Sequence, residues 1–373
     1  MQKVGVIPGD GIGPEVVKEA KRVLDKVTET RNVALEFEEF PLGANHFLKT
    51  GEVLSEETLQ RLSRKDVILL GAMGDPRVKP GILEKGVLLR LRFHFDQYAN
   101  LRPIRLYEGV PSPLAGNDRK IDIQFVRENT EDFYVGLGAR VKGGLSNTSL
   151  SLLRRAYEVK FDVGIDLKDE EELAFQIGII TKHGARRVMD YAFQLAKKKG
   201  IAPVTSVDKA NVLTEMYGLW REACEEASAK YGIAKEFQYV DAVSLLMVRN
   251  PERFKLIVSP NLFGDILTDL GAALQGGLGL APSGNINPSG VSMFEPVHGS
   301  APDIAGKGLA NPIGAILSSA MMLDTLGHKG AADDIESAVK DVLKSGKHRT
   351  ADMGGKTSTS KMTDEILARL PHH

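Results

Sequence analysis

The chain of 373 residues has one cysteine, one tryptophan and almost no net charge, and it lacks an apolar run of bilayer length. Cys224 cannot close an intramolecular disulfide by itself. With no CxxC or Cys/His grouping there is no zinc site to read, so a reducing, cytoplasmic setting is expected. The 48 Lys and Arg are interspersed with 49 Asp and Glu, which leaves no long-range field to hold a polyanion, so no nucleic-acid partner is expected. The densest basic patch, Lys197-Lys198-Lys199 before Gly200, suits the carboxyl end of a helix, where cations complement the dipole. The apolar uncharged run at residues 308–323 is short of a membrane span and contains Asn311-Pro312. Residues 1–10 lack the basic and apolar regions of a secretory leader.

What the chain does have is a beat of short apolar strands, polar turns and amphipathic helices. Residues 4–8 predict a buried strand, and residues 9–13 a glycine-rich turn. Residues 14–28 predict a helix, with Val16, Val17, Ala20, Val23, Leu24 and Val27 at helical spacing behind Pro14. Further strands are expected at 67–70, 121–126, 202–207, 238–240 and 255–258. This alternation predicts an α/β architecture with a largely parallel sheet, whose ligands gather at the carboxyl ends of the strands. The length allows two or three domains. Residues 142–180 break the beat. They are polar, rich in serine and in acids including Asp169-Glu170-Glu171-Glu172, and predict an arm or interface element.

Four groups of residues carry chemistry. Gly9-Asp10-Gly11-Ile12-Gly13-Pro14 fails the dinucleotide fingerprint, which needs glycine where Pro14 stands, and it lacks the Gly-Lys-Ser/Thr of a P-loop. It is either a tight strand-to-helix turn or a turn whose backbone approaches a cofactor in another geometry. Arg92, Arg102 and Arg127 lie near strand termini; each suits a surface ion pair, and the three together suit a clamp for a di- or tricarboxylate. Asp265 and Asp269 share a helix face at i, i+4 and repel unless a cation joins them. With no histidine pair at metal spacing before the tail, Mg²⁺ or Mn²⁺ fits better than zinc. Lys209, at the end of a strand, would act as a base if desolvated, and Tyr134 could supply a proton. Alone, the first reads as a solvated lysine and the second as a core or rim tyrosine.

Taken together, residues 7–15, Asn100-Leu101-Arg102-Pro103, residues 126–131, 261–269 and 295–306 resemble the motifs of the β-decarboxylating dehydrogenases. This family acts on isocitrate, 3-isopropylmalate, homoisocitrate and D-malate or tartrate, and the resemblance runs to Asp352-Met353-Gly354-Gly355. It implies an α/β, isopropylmalate dehydrogenase-like two-domain fold with a large mixed, mostly parallel sheet flanked by helices, not a Rossmann fold. Residues 1–98 with 277–373 would bind the cofactor; 99–276 would carry substrate, metal and dimer contacts, with an arm around 142–180. The implied reaction is oxidation of a 2-hydroxy acid by a nicotinamide cofactor, with loss of the β-carboxyl as CO₂.

By family motif, Arg92, Arg102 and Arg127 hold the malate-like carboxylates, and Asp241, Asp265 and Asp269 hold Mg²⁺ or Mn²⁺. Lys209 is then the base and Tyr134 the acid. Cofactor contacts fall to Ile12, Glu295, His298, Gly299, Ser300, Ala301, Asp303, Ile304 and Asn311, with Asp352 beside them. Asp303-Ile304 stands where NADP-using relatives place Lys-Tyr; its carboxylate suits ribose hydroxyls and repels a 2′-phosphate, which favours NAD. Val87, Leu88 and Leu89 form an apolar wall before Arg92 and point to the isopropylmalate branch. Residues 95–98 and 108–115 also resemble D-malate/tartrate enzymes, and Lys85 or Arg90 would serve homoisocitrate. The stretch between Tyr134 and Lys209 is longer than the family pattern predicts, with the extra residues around 145–173. In relatives this region interlocks two subunits, and the lysine and one metal aspartate reach the partner's site, so a homodimer with shared sites is implied. The reading from another class is a non-catalytic regulatory subunit, against which the intact Lys209, Tyr134 and aspartates speak.

Overall fold

In the computed structural model, which describes residues 1–115, 119–154 and 157–371 apart from the side chains at 169 and 170, side chains alternate between two covered faces of one sheet. The side chains of Asp169-Glu170 in the acidic run, and the terminal His372-His373, lie outside the described residues. Val4 and Val6 of β1 (Gln2–Gly9) pack into one core and Ile7 into another. Val67 and Leu69 of β3 (Val67–Ala72) join the first core, Ile68 and Leu70 the second. Strands with apolar residues on both faces must be covered on both, and such strands are the mark of a parallel α/β sheet. The helices Gly13–Thr30, Lys182–Lys199 and Ile313–Thr325 supply the first cover. Helix Lys182–Lys199 ends on its three lysines at Gly200, whose φ of +66° makes the left-handed cap.

The remaining strands are β2 (Leu35–Glu39), β4 (Ala99–Arg105), β5 (Asp122–Glu128), β6 (Asp132–Leu153), β7 (Glu158–Ile179), β8 (Val204–Asp208), β9 (Lys235–Tyr239), β10 (Leu256–Ser259), β11 (Pro282–Ile286) and β12 (Ser292–Pro296). Ten of the twelve strands among the described residues form a single sheet in the order β2-β1-β3-β12-β11-β4-β5-β10-β8-β9. Its three antiparallel pairings, β12 with β11, β11 with β4 and β4 with β5, sit together in the middle of otherwise parallel strands. The large, mostly parallel sheet flanked by helices is therefore as expected. The strand expected at 238–240 is Lys235–Tyr239 instead, because Val240 already opens the helix Val240–Arg249.

Within 142–180, residues 142–153 and 158–179 belong to an antiparallel ribbon of β6 and β7, separate from the main sheet. Its register shifts between Lys142 and Gly144, and its far end packs Leu152, Tyr157 and Phe161 with Val135, Leu137 and Ile179 near its base. Arg154 stacks on the Phe93 ring, 4.0 Å from its centroid. No helix among the described residues is long and apolar enough to cross a membrane.

Candidate active site

Arg102 lies opposite Phe125 in the β4–β5 register, two residues before Arg127. Strand alternation therefore puts both guanidinium groups on the face that Ile104 and Phe125 share with the helix Asn261–Leu274. That helix lies close because two of its residues have no side chain. A Cβ at Gly264 would stand 2.6 Å from Arg127 Cγ, and one at Gly271 2.2 Å from Ile104 Cδ1. Arg92 arrives from the helix Arg90–His94, which continues a π-helical turn at Glu84–Leu89.

All three arginines are buried. Arg127 Nη1 donates to Asp265 Oδ1, and Arg102 Nη1 stands 3.6 Å from a carboxylate oxygen of each of Asp265 and Asp269. The Tyr134 hydroxyl donates to Asp265 Oδ2 at 2.6 Å. Arg92 Nη2 donates at 3.1 Å to Glu295 Oε1, which also accepts Asn285 Nδ2 at 2.8 Å. Arg102 Nη1 donates to Thr268 Oγ1 at 2.7 Å. Nε of Arg92 and Nε of Arg102 are buried with no hydrogen-bond partner. Buried charged donors without acceptors are costly, and an anionic ligand supplies what they lack.

The electrostatics follow from this crowding. Burial, then the repulsion of Arg102, draws the Arg127 guanidinium down to about 10, and Asp265 opposes the shift. Asp265 is itself held below the usual carboxylate range by Arg127, Tyr134 and Arg102, against its own desolvation. Asp269 is pushed up by burial and by Asp265, with Arg102 opposing. Burial and the hydrogen bond to Asp265 raise the Tyr134 phenol, so it keeps its proton at neutral pH.

Asp265 and Asp269 present an oxygen-only pair of the kind a hard divalent cation takes. Asp241 is not with them. It opens the helix after β9, at the end of the sheet, where its Oδ1 accepts from Lys209 Nζ at 2.5 Å. Among the described residues no three His, Cys, Asp or Glu side chains are placed to hold a metal. Lys209 stands after β8, its turn fixed by the buried Asp208, which accepts from Ala210 N and from Arg221 Nε. In this pair Lys209 is half-buried and Asp241 is 67% exposed.

Segment 295–306 leaves the end of β12 and folds against the glycine-rich turn. Ile12 N donates to Ser300 O at 2.8 Å, and Gly11, at φ +56°, would place a Cβ 1.9 Å from that oxygen. His298 Nδ1 lies 3.0 Å from Gly299 O, its Nε2 is buried without a partner, and burial lowers its pKa. Ala301 adopts φ +39°, Ile304 N donates to Ala301 O at 3.1 Å, and Asp303 is exposed. Asn311 Nδ2 donates to Asp352 Oδ2 at 3.0 Å. An unpartnered histidine edge beside a glycine turn of this closeness fits a cofactor cradle.

Of the apolar wall, Val87 is 0% exposed and packs with Ile7, Phe40 and Leu91, so it faces the core and not the cleft. Leu88 and Leu89 are half-buried. The sequence reading missed the neutral residues that hold the charged ones, Asn261, Thr268 and Asn285. Asn261 lies inside a motif already singled out, and only the fold shows what its amide touches.

A clamp of buried arginines facing paired aspartates, on a doubly covered sheet of this strand order, defines the class: a decarboxylating dehydrogenase. The model of the isocitrate/isopropylmalate dehydrogenase family matches residues 3–366. The 3-isopropylmalate dehydrogenase of Thermobifida fusca is 45% identical over 372 residues, covering 99% of this chain and 97% of that one. Its counterpart in Clavibacter sepedonicus is 44% identical over 374 residues, covering 98% and 97%. The crystal structure of isocitrate dehydrogenase from Methylococcus capsulatus superposes with a TM-score of 0.83 at 34% identity, covering 100% of both chains. The chain belongs to the isocitrate/isopropylmalate dehydrogenase family.

Proposed function

We propose that the protein is a cytoplasmic, homodimeric, NAD-dependent enzyme that converts 3-isopropylmalate to 4-methyl-2-oxopentanoate, CO₂ and NADH with the help of Mg²⁺ or Mn²⁺. The observation that carries this reading is the pair of orphaned donors, Arg92 Nε and Arg102 Nε, in a cleft shared with Asp265 and Tyr134. The relatives named for this reaction match end to end, which supports the substrate. Residues 1–98 with 277–373 are assigned to the cofactor, and 99–276 to substrate, cation and dimer contacts.

Arg92, Arg102 and Arg127 bind the two carboxylates and fix the C2 hydroxyl, while Leu88 and Leu89 receive the alkyl branch. Lys209 of a second copy takes the hydroxyl proton, and Tyr134 returns a proton to C3 once CO₂ has left. Asp265 and Asp269, with Asp241 of that second copy, would hold the cation; Ile12, Glu295, His298–Ala301, Asp303, Ile304 and Asn311 would hold NAD. When bound, these groups supply a hydride acceptor and a Lewis acid for negative charge on the C2 oxygen.

Arg90 argues against a third-carboxylate substrate such as homoisocitrate, because its guanidinium is committed to Leu54 O and to Glu56. The test is NADH formation on 3-isopropylmalate, D-malate, tartrate, homoisocitrate and isocitrate, with and without EDTA. The expected result is the highest kcat/KM on 3-isopropylmalate, abolished by EDTA. A higher kcat/KM on D-malate overturns the substrate, and absence of turnover on all five overturns the enzyme reading in favour of a regulatory subunit.

A further inference from the structure

Arg127 is the most deeply buried of the three clamp arginines, and although its Nη1 meets Asp265, its other edge is not held by an acid. Asn261, 1% exposed at the head of its helix, accepts from Arg127 Nη2 at 2.7 Å and Nε at 3.0 Å through its side-chain Oδ1. Its backbone carbonyl accepts from the same Nε at 3.0 Å. One whole edge of the guanidinium is thus taken by neutral oxygens, and Nη1 is left toward Asp265 and the cleft.

The amide presents its oxygen because its nitrogen is engaged behind it. Asn261 Nδ2 donates to Glu131 O at 3.2 Å and Glu128 Oε2 at 3.4 Å. Glu128 cannot swing away, since Thr130 N, Thr130 Oγ1 and Glu131 N donate to it at 2.8, 2.7 and 2.8 Å. A carboxylate is the usual two-pronged partner for an arginine edge, and in a buried site it would cancel the charge it bonds. Asn261 makes the same two contacts without the charge.

We propose that Asn261, oriented by Glu128, is a positioning residue that fixes Arg127 through neutral acceptors and so keeps its positive charge available to the substrate carboxylate. The inference rests on the reading of Arg127 as a substrate ligand, and applies to whichever hydroxy acid of the panel the wild-type enzyme turns over. Failure of the wild type on 3-isopropylmalate alone therefore bears on the substrate and not on Asn261.

The test compares steady-state KM and kcat for that hydroxy acid and for NAD in N261D, N261D/E128Q and N261S, with folding checked by circular dichroism and thermal melting. N261D is isosteric and adds the charge; E128Q in the double variant removes the acid–acid repulsion that N261D creates and restores a donor at that contact. N261S shortens the side chain but keeps it neutral. The expected result is a rise in hydroxy-acid KM of about tenfold or more in N261D and in the double variant, with kcat within about threefold and KM for NAD unchanged. N261S is expected to raise KM by less than about fivefold. The proposal is overturned if N261D keeps the wild-type KM, if E128Q restores the KM of N261D, or if N261S raises KM as much as N261D. Should N261D not fold, the double variant and N261S decide by the same criteria.

Discussion

Glu128 lies behind the clamp, and its burial, together with Glu131, pushes its carboxyl up from 4.5 to about 7 in spite of the hydrogen bonds it accepts from Thr130 and Glu131. A carboxyl whose folded-state value lies above its unfolded one binds a proton on folding, so its contribution is present at low pH and lost as pH rises from about 4.5 through about 7. Asp132, raised to about 6 chiefly by burial, acts in the same direction. Melting temperature is therefore expected to fall between pH 5 and 7.5, and Glu128→Gln to flatten that fall; an unchanged slope in the variant would place the effect elsewhere. The second expectation at this scale concerns Tyr134. Replacing it by Phe removes a proton donor but no clamp contact, so kcat is expected to drop by about 10²-fold or more, with KM for the hydroxy acid within a few fold. The charged members of this cleft can be read from sequence because arginines and paired aspartates are unusual near strand ends. Asn261, Thr268 and Asn285 cannot: a neutral side chain acquires its role only from partners such as Arg127, 134 residues away in the chain.

The helix Asn261–Leu274 reaches the sheet through Gly264, and this close approach lets the Arg127 stem pass beneath Asp265. Gly264→Ala keeps helix propensity or improves it, so any loss comes from the 2.6 Å contact its Cβ would make with Arg127 Cγ. Its kcat/KM is expected to fall by about tenfold through KM, while the far-ultraviolet dichroism stays unchanged; wild-type kinetics would show that the helix shifts freely. Strands β1, β3, β5, β8 and β10 and the first helix are accessible from sequence because they are short apolar runs or carry one clean stripe, as in Val16, Val17, Ala20, Val23 and Leu24. Strands β4, β11 and β12, in the middle of the sheet, are not among the strands expected. The β6–β7 ribbon is not either. Its side chains alternate between exposed and half-buried along most of its length, so no apolar period marks it, and a two-stranded ribbon depends on packing elsewhere for its stability. Val87 misled for a related reason: apolar character announces burial, and only the fold shows that the burial is in the core.

At the scale of the whole molecule the proposed chemistry is incomplete in one chain. Tyr134 and Asp265 share a cleft, whereas Lys209 and Asp241 pair with each other at the end of the sheet. Leu245, Val248 and Ile266 stand exposed on the helices Val240–Arg249 and Asn261–Leu274, apolar surface of the kind a second copy covers. If each site draws Tyr134 from one subunit and Lys209 from the other, two inactive variants must complement. In a dimer of Lys209→Met with Tyr134→Phe, one site takes the intact tyrosine of the first chain and the intact lysine of the second, and the other site lacks both. Random pairing in a 1:1 mixture makes half of the dimers hybrid with one good site of two, so about a quarter of wild-type activity is expected from chains that are separately almost inactive. The measurement is NADH formation by co-expressed, differently tagged variants purified through both tags in succession, where the hybrid is expected at about half of wild type. A doubly tagged hybrid no more active than its parents would mean that Lys209 serves the cleft of its own chain, and that the pair it forms with Asp241 opens on assembly without crossing to a partner.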